Sequence, residues 1–132
     1  MSVIPDKTKE GRILVYYIAS PYSTPVDIGD FKSKRCDEVE AIAVDLMKKG
    51  YVLIEPIASS HHKAIKHKLP QTFDYWKKRD LALIDACDGL IVAADMENWD
   101  RSAGVTEELI HAKRTNKPIF LYKNGEFEVL HG

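Results

Sequence analysis

Leu90-Ile91-Val92-Ala93-Ala94, running into Asp95, is an unbroken apolar stretch between Cys87-Asp88-Gly89 and a polar loop. Its length suits a strand, and the absence of alternation with polar residues means that both of its faces must be covered. Ile13-Leu14-Val15-Tyr16-Tyr17-Ile18-Ala19, Tyr51-Val52-Leu53-Ile54 and Ile119-Phe120-Leu121-Tyr122 read the same way, and residues 126–130 offer a short fifth strand. Helical patterns lie between them. Val39, Ile42, Ala43, Leu46 and Met47 share one face of a helix that Asp30 can cap and Gly50 ends in a left-handed conformation. Thr72 opens a helix to about Ala86, and Ser102 one to about Thr115, where Asn116 and Pro118 stop it. Pro56 to Pro70 has no clear period; with His61, His62, Lys63, Lys66, His67 and Lys68 it reads as a basic lid or a solvated loop.

This alternation predicts an α/β fold: a single-domain, mainly parallel Rossmann- or flavodoxin-like sheet of 4–5 strands with helices on both faces. The domain takes up residues 1–132, with residues 1–11 a polar, flexible N-terminal segment. Ligands in such folds bind beyond the carboxyl ends of the strands, here the loops after Ala19, Ile54 and Ala94.

Composition narrows the function classes. The chain has 132 residues, 45% of them apolar and 30% charged, with a net charge of −1, so nothing draws it to polymeric nucleic acid or to a membrane surface. Met1 to Lys7 lacks the apolar core of a signal peptide, and no apolar run approaches the roughly 20 residues that span a bilayer. A cytoplasmic protein is expected. Cys36 and Cys87 are too few for a disulfide framework and form no CxxC pair, which suits buried free thiols. His61, His62 and His67 have no acidic or cysteine partner at ligand spacing, so neither a metal nor another cofactor is expected.

Two carboxylates break the packing pattern. Asp80 lies four residues after Trp76 and four before Ile84, on the face shared by Phe73, Leu83 and Cys87. Glu108 lies three after Val105 and four before Ala112, on the stripe that includes Leu109. Each sits either at a solvated stripe edge or inward, where an unpartnered carboxylate costs several kcal/mol or becomes neutral. A pair of inward carboxylates is what glycosidic bond cleavage requires. Ser102-Ala103-Gly104-Val105 opens a helix whose hydroxyl and free N–H groups suit an anion, although serine is also an ordinary structural cap. Tyr17 is either core or the wall of the ligand crevice.

Tyr17-Ile18-Ala19-Ser20-Pro21, Arg79-Asp80-Leu81 with Ile84, Cys87-Asp88-Gly89-Leu90-Ile91-Val92, Ser102-x-Gly104-Val105-x-x-Glu108-x-x-x-Ala112 and Lys117-Pro118-Ile119 together resemble the nucleoside 2-deoxyribosyltransferase superfamily, from about Ile13 to Tyr122. The Ser-x-Gly-Val-x-x-Glu form is similar to its 2'-deoxynucleoside 5'-monophosphate N-hydrolases, where a serine suits a 5'-phosphate that an aspartate would repel. The resemblance implies Glu108 as nucleophile on C1', Asp80 near the base as proton donor or organiser, and Tyr17 holding the nucleophile. Ser20, Pro21, Ser102, Gly104, Asp95, Trp99 and His61 are the expected substrate-binding residues, with Trp99 able to stack on a base. Ser20-Pro21-Tyr22-Ser23 lacks the loop arginine usual in those hydrolases, leaving Arg35, His61 or Lys63 to meet a phosphate.

The reading is therefore an N-glycosidic bond hydrolase for a nucleoside 5'-monophosphate, with a small-molecule nucleotide or nucleoside as partner. The resemblance also implies a homodimer or homotetramer. A transferase passing the sugar to a second base is one alternative; a non-catalytic nucleotide or nucleotide-sugar binding module, with Glu108 paired to Lys113 or Arg114, is the other.

Overall fold

A computed structural model describes residues 1–22, 31–70 and 72–132, without the side chains of residues 31–33 and 58. Helix capping by Asp30 and the loop from Ser23 lie outside the described residues. The strands are β1 (Val15–Ala19), β2 (Val52–Ile54), β3 (Gly89–Ala93), β4 (Ile119–Lys123) and β5 (Glu126–His131). The helices are α1 (Phe31–Lys48), α2 (Pro56–Lys66), α3 (Phe73–Ala86) and α4 (Ala103–Arg114), with one 3-10 turn at Trp99–Arg101. The sheet order is β2-β1-β3-β4-β5; the first four strands are parallel and β5 returns antiparallel to β4. This is the predicted α/β fold in a single domain, in the flavodoxin-like order. Among the described residues no helix is long and apolar enough to cross a membrane.

Strand periodicity assigns each side chain to a layer. Tyr16, Ile18, Ile91, Ala93, Phe120 and Tyr122 join Val39 and Leu46 of α1 on one face of the sheet. Tyr17, Ala19, Leu90, Val92 and Ile119 meet Ile84 of α3 and Val105 and Ala112 of α4 on the other. β3 is buried along its whole length, as its unbroken apolar run requires. β2 is an edge strand rather than a buried one: it pairs with β1 alone, and Val52 faces solvent. Met47 is also exposed, so the inner stripe of α1 is narrower than its sequence pattern.

Two other expectations are corrected. The Pro56–Lys66 segment is a helix, not an aperiodic loop. Pro56 supplies the fixed φ and missing N–H that suit a first helical turn, and its carbonyl accepts the Ser60 hydroxyl at 2.6 Å. The N-terminal segment is tied down rather than loose. The Ile4 amide donates to the Tyr51 hydroxyl at 3.0 Å, the Tyr16 hydroxyl donates to the Pro5 carbonyl at 2.7 Å, and the Ile4 side chain joins the core.

Gly50 ends α1 at φ +97, with its amide bonded to the Met47 carbonyl at 2.9 Å. A Cβ there meets no atom, so any penalty for adding one is conformational. Gly50→Ala is expected to lower stability by about 1–2 kcal/mol, read as a lower urea midpoint at unchanged slope.

Candidate active site

The strand order reverses direction between β1 and β3, and a crevice opens above that point, as the topology demands. Ser20 and Tyr22 leave β1 on one side of it. α2 contributes Ile57, Ser60, His61 and Ala64, α3 contributes Phe73, Trp76, Arg79 and Asp80, and the start of α4 contributes Ser102, Gly104 and Glu108. They enclose a cavity of about 280 Å³. Asp74 and Glu107 stand on its wall as well.

Both pattern-breaking carboxylates face this cavity. Glu108 is 5% exposed and Asp80 3% exposed, on helices packed side by side against the same sheet face. The α4 stripe places Glu108 over β1, where the fully buried Tyr17 donates its hydroxyl to Glu108 Oε2 in a short hydrogen bond. Burial pushes Glu108 up to about 8; the Tyr17 hydrogen bond opposes that rise and the nearby Asp80 adds to it. Burial likewise drives the Tyr17 phenol well above its usual value, reinforced by Glu108 and Asp80. Burial thus favours the neutral form of Glu108.

Asp80 is governed by its neighbour in sequence. Arg79 places Nε 2.9 Å and Nη2 2.7 Å from the same oxygen, Asp80 Oδ1. Burial raises the Asp80 carboxyl and the guanidinium works against that rise. Arg79 is held in turn by the Trp76 ring, 4.5 Å below its guanidinium carbon, and Trp76 Nε1 donates to the Pro70 carbonyl at 2.9 Å. A charged stack on an indole face is a stabilising arrangement for arginine.

The α4 N-terminus completes the cavity wall. Ser102 caps the helix, its hydroxyl oxygen accepting the Val105 amide at 3.2 Å. A Cβ on Gly104 would lie 3.2 Å from Phe73 Cδ1, so glycine there lets the α3 ring sit against α4. Ser20 Oγ is buried and has no hydrogen-bond partner among the described residues, leaving a polar atom on the wall for a ligand to satisfy. On the α2 side, the Tyr22 hydroxyl is hydrogen-bonded to His61 Nδ1, with the two rings edge to face at 5.4 Å.

The expected site residues divide accordingly. Glu108, Asp80, Ser20, Ser102, Gly104 and His61 line one cavity, and Tyr17 stands behind Glu108. Pro21 is buried outside the lining. Asp95 is exposed and accepts the Asn124 amide at 3.1 Å, and Trp99 packs on the α3–α4 side of the core, so neither reaches the cavity. Arg79, Phe73 and Trp76 were not expected as lining. Their spacing with Asp80 was visible, but it reads as core until the helix is known to overhang a hollow.

The family described as Domain of unknown function (DUF1937) matches residues 14–124. The chain belongs to this family. The DUF1937 match runs from the start of β1 through β4 and includes every residue of the cavity wall. No curated protein matches the chain.

The linkage of Glu108 to folding has a definite sign. Its proton is retained in the fold between the ordinary carboxylate value of 4.5 and about 8, where an unfolded chain has lost it. The stability this contributes is complete below the unfolded value and is lost as pH rises toward the folded one. Glu108→Gln keeps the acceptor for Tyr17 but cannot ionise. Its melting temperature is expected to match wild type near pH 4 and to exceed it by several degrees at pH 9; a constant offset across that range would contradict the assignment.

Proposed function

We propose that this chain cleaves the N-glycosidic bond of a small nucleoside, with Glu108 attacking C1' and Asp80 organising the base. The observation that carries this reading is the convergence of two buried carboxylates on one cavity, one against a tyrosine hydroxyl and the other against a guanidinium. A retaining glycosidase needs a nucleophile and an oriented partner at such a place. Ionisation of Glu108, disfavoured by burial, is helped when positive charge develops on the sugar in an oxocarbenium-like transition state. The motif resemblance to the nucleoside 2-deoxyribosyltransferase superfamily supports the same roles for Glu108, Asp80 and Tyr17, and favours a 2'-deoxyribosyl group.

Charge guides the choice between a nucleoside and its 5'-monophosphate. Asp74 and Asp80 place negative charge on the described lining, where burial favours the neutral form of Glu108, Glu107 is paired with Lys77 at 3.1 Å, and the guanidinium of Arg79 is already bonded to Asp80. A phosphate dianion near that wall is disfavoured by like charge. The α4 N-terminus with Ser102 favours the 5'-monophosphate as the second reading.

The purified protein is expected to release free base from 2'-deoxynucleosides, with a higher KM for the 5'-monophosphates. Glu108→Ala is expected to abolish release. Tyr17→Phe, which removes one hydrogen bond to a charged group, is expected to lower kcat/KM by roughly 10- to 100-fold. Chromatography of the released base checks all three, and adding a second free base separates hydrolysis from transfer. Base release unaffected by Glu108→Ala would overturn the mechanism; binding without release would leave a binding module.

A further inference from the structure

The departing base must take up a proton or leave as a poorly stabilised anion, and the cavity contains several groups that could supply one. Glu108 is committed as nucleophile in the reading above, on which this inference rests. Asp80 accepts both Arg79 N–H groups at Oδ1, bonds that favour its charged form against the rise caused by burial, and in that reading it organises the base. Glu107 is exposed and paired with Lys77 at 3.1 Å, and Asp74 is exposed in the first turn of α3. Arg79 does not give up its proton at any relevant pH. Tyr17 donates its hydroxyl to Glu108.

The remaining candidate is on α2. We infer that His61, oriented by Tyr22, is the acid that protonates the leaving base. Three observations converge on it. His61 is 9% exposed although it sits in a helix with polar and basic neighbours, so its ring is turned inward to the cavity wall. Its Nδ1 is hydrogen-bonded to the Tyr22 hydroxyl, which orients the ring; in the imidazolium form that acts as the acid, Nδ1–H donates to that hydroxyl and Nε2–H is the second donor. It shares its wall with Ile57 and Ala64, and the same cavity carries Phe73 and Trp76, an apolar and aromatic surface suited to a flat heterocycle. Ser20 and Ser102 line the same cavity, where their hydroxyl groups suit a sugar. Imidazole is also the side chain whose proton affinity best matches transfer near neutral pH.

The step balances as follows. Glu108 first loses its proton to solvent; its carboxylate Oε then forms a bond to C1' as the C1'–N bond breaks, and that bond's electron pair remains with the base. A ring nitrogen of the base takes a proton from Nε2 of the His61 imidazolium, which becomes the neutral imidazole. Water then attacks C1', displaces Glu108 and returns a proton to His61, so both side chains are restored.

The test compares two leaving groups. 2'-Deoxyguanosine requires protonation, whereas its N7-methyl derivative is already cationic and loses a neutral base without accepting a proton. His61→Gln is expected to slow release from 2'-deoxyguanosine by about 10²- to 10⁴-fold, the usual contribution of a general acid. Release from the N7-methyl substrate is expected to stay within about fivefold of wild type, with the acid contribution removed. Tyr22→Phe, which leaves the imidazole in place, is expected to shift the two substrates in the same unequal way by a smaller factor, and thermal melts establish that both variants fold. Equal losses on the two substrates, or no loss on either, would overturn the role of His61. If wild type cleaves neither substrate, the glycosidase reading itself fails and this inference with it. Loss of both activities in Glu108→Gln, alongside the unequal pattern in His61→Gln, separates nucleophile from acid.

Discussion

The carboxyl group of Glu108 lies between a helix and a sheet, against the hydroxyl of Tyr17, in a place where the surrounding pattern calls for an aliphatic side chain. Few arrangements in a protein interior are less favourable than a charged carboxylate so enclosed. Two effects act on it: burial pushes the carboxyl up to about 8, and Tyr17 gives it a hydrogen bond that favours the ionised form. The rest of the crevice is arranged around that constraint. Asp80 on the neighbouring helix is held by Arg79, and Arg79 by Trp76, so the second carboxylate is oriented from the solvent side while the first is oriented from the core.

The fold explains where along each element this is possible. In a sheet ordered β2-β1-β3-β4-β5, the chain leaves β1 toward one side and β3 toward the other, and the crevice opens at their carboxyl ends. α3 and α4 pack tightly on the sheet through Ile84, Val105 and Ala112, and one or two turns from those contacts their inner faces meet the crevice instead. The same helical stripe is thus core along part of its length and site along the rest. α2 closes the opposite wall.

That division also explains what the sequence disclosed. Strand positions, the sheet class and the inward placement of Asp80 and Glu108 were legible because a buried strand and a broken stripe are both departures from solvated patterning. β2 was misjudged because an edge strand of three residues can carry the same apolar letters as a central one. α2 was missed for a physical reason: its inner face is Ile57, Ser60, His61 and Ala64, at helical spacing but with polar and small side chains, since it faces a cavity rather than core. Asp95 and Trp99 follow a strand end, where ligands bind in this fold, yet the loop after β3 turns them toward β4 and the core, with Asp95 bonded to the Asn124 amide. The Arg79–Trp76 stack was invisible because nothing in a sequence distinguishes an arginine on an indole face from one in water.

The most direct test of the central claim is a titration of the Glu108 side-chain carboxyl by carbon-13 NMR in the ligand-free protein, assigned by its disappearance in Glu108→Gln. A midpoint near pH 8 is the result expected of a carboxyl sealed against Tyr17 within the crevice. A midpoint at the ordinary carboxylate value would mean that Glu108 is solvated, and the account of the site built on its burial would be wrong.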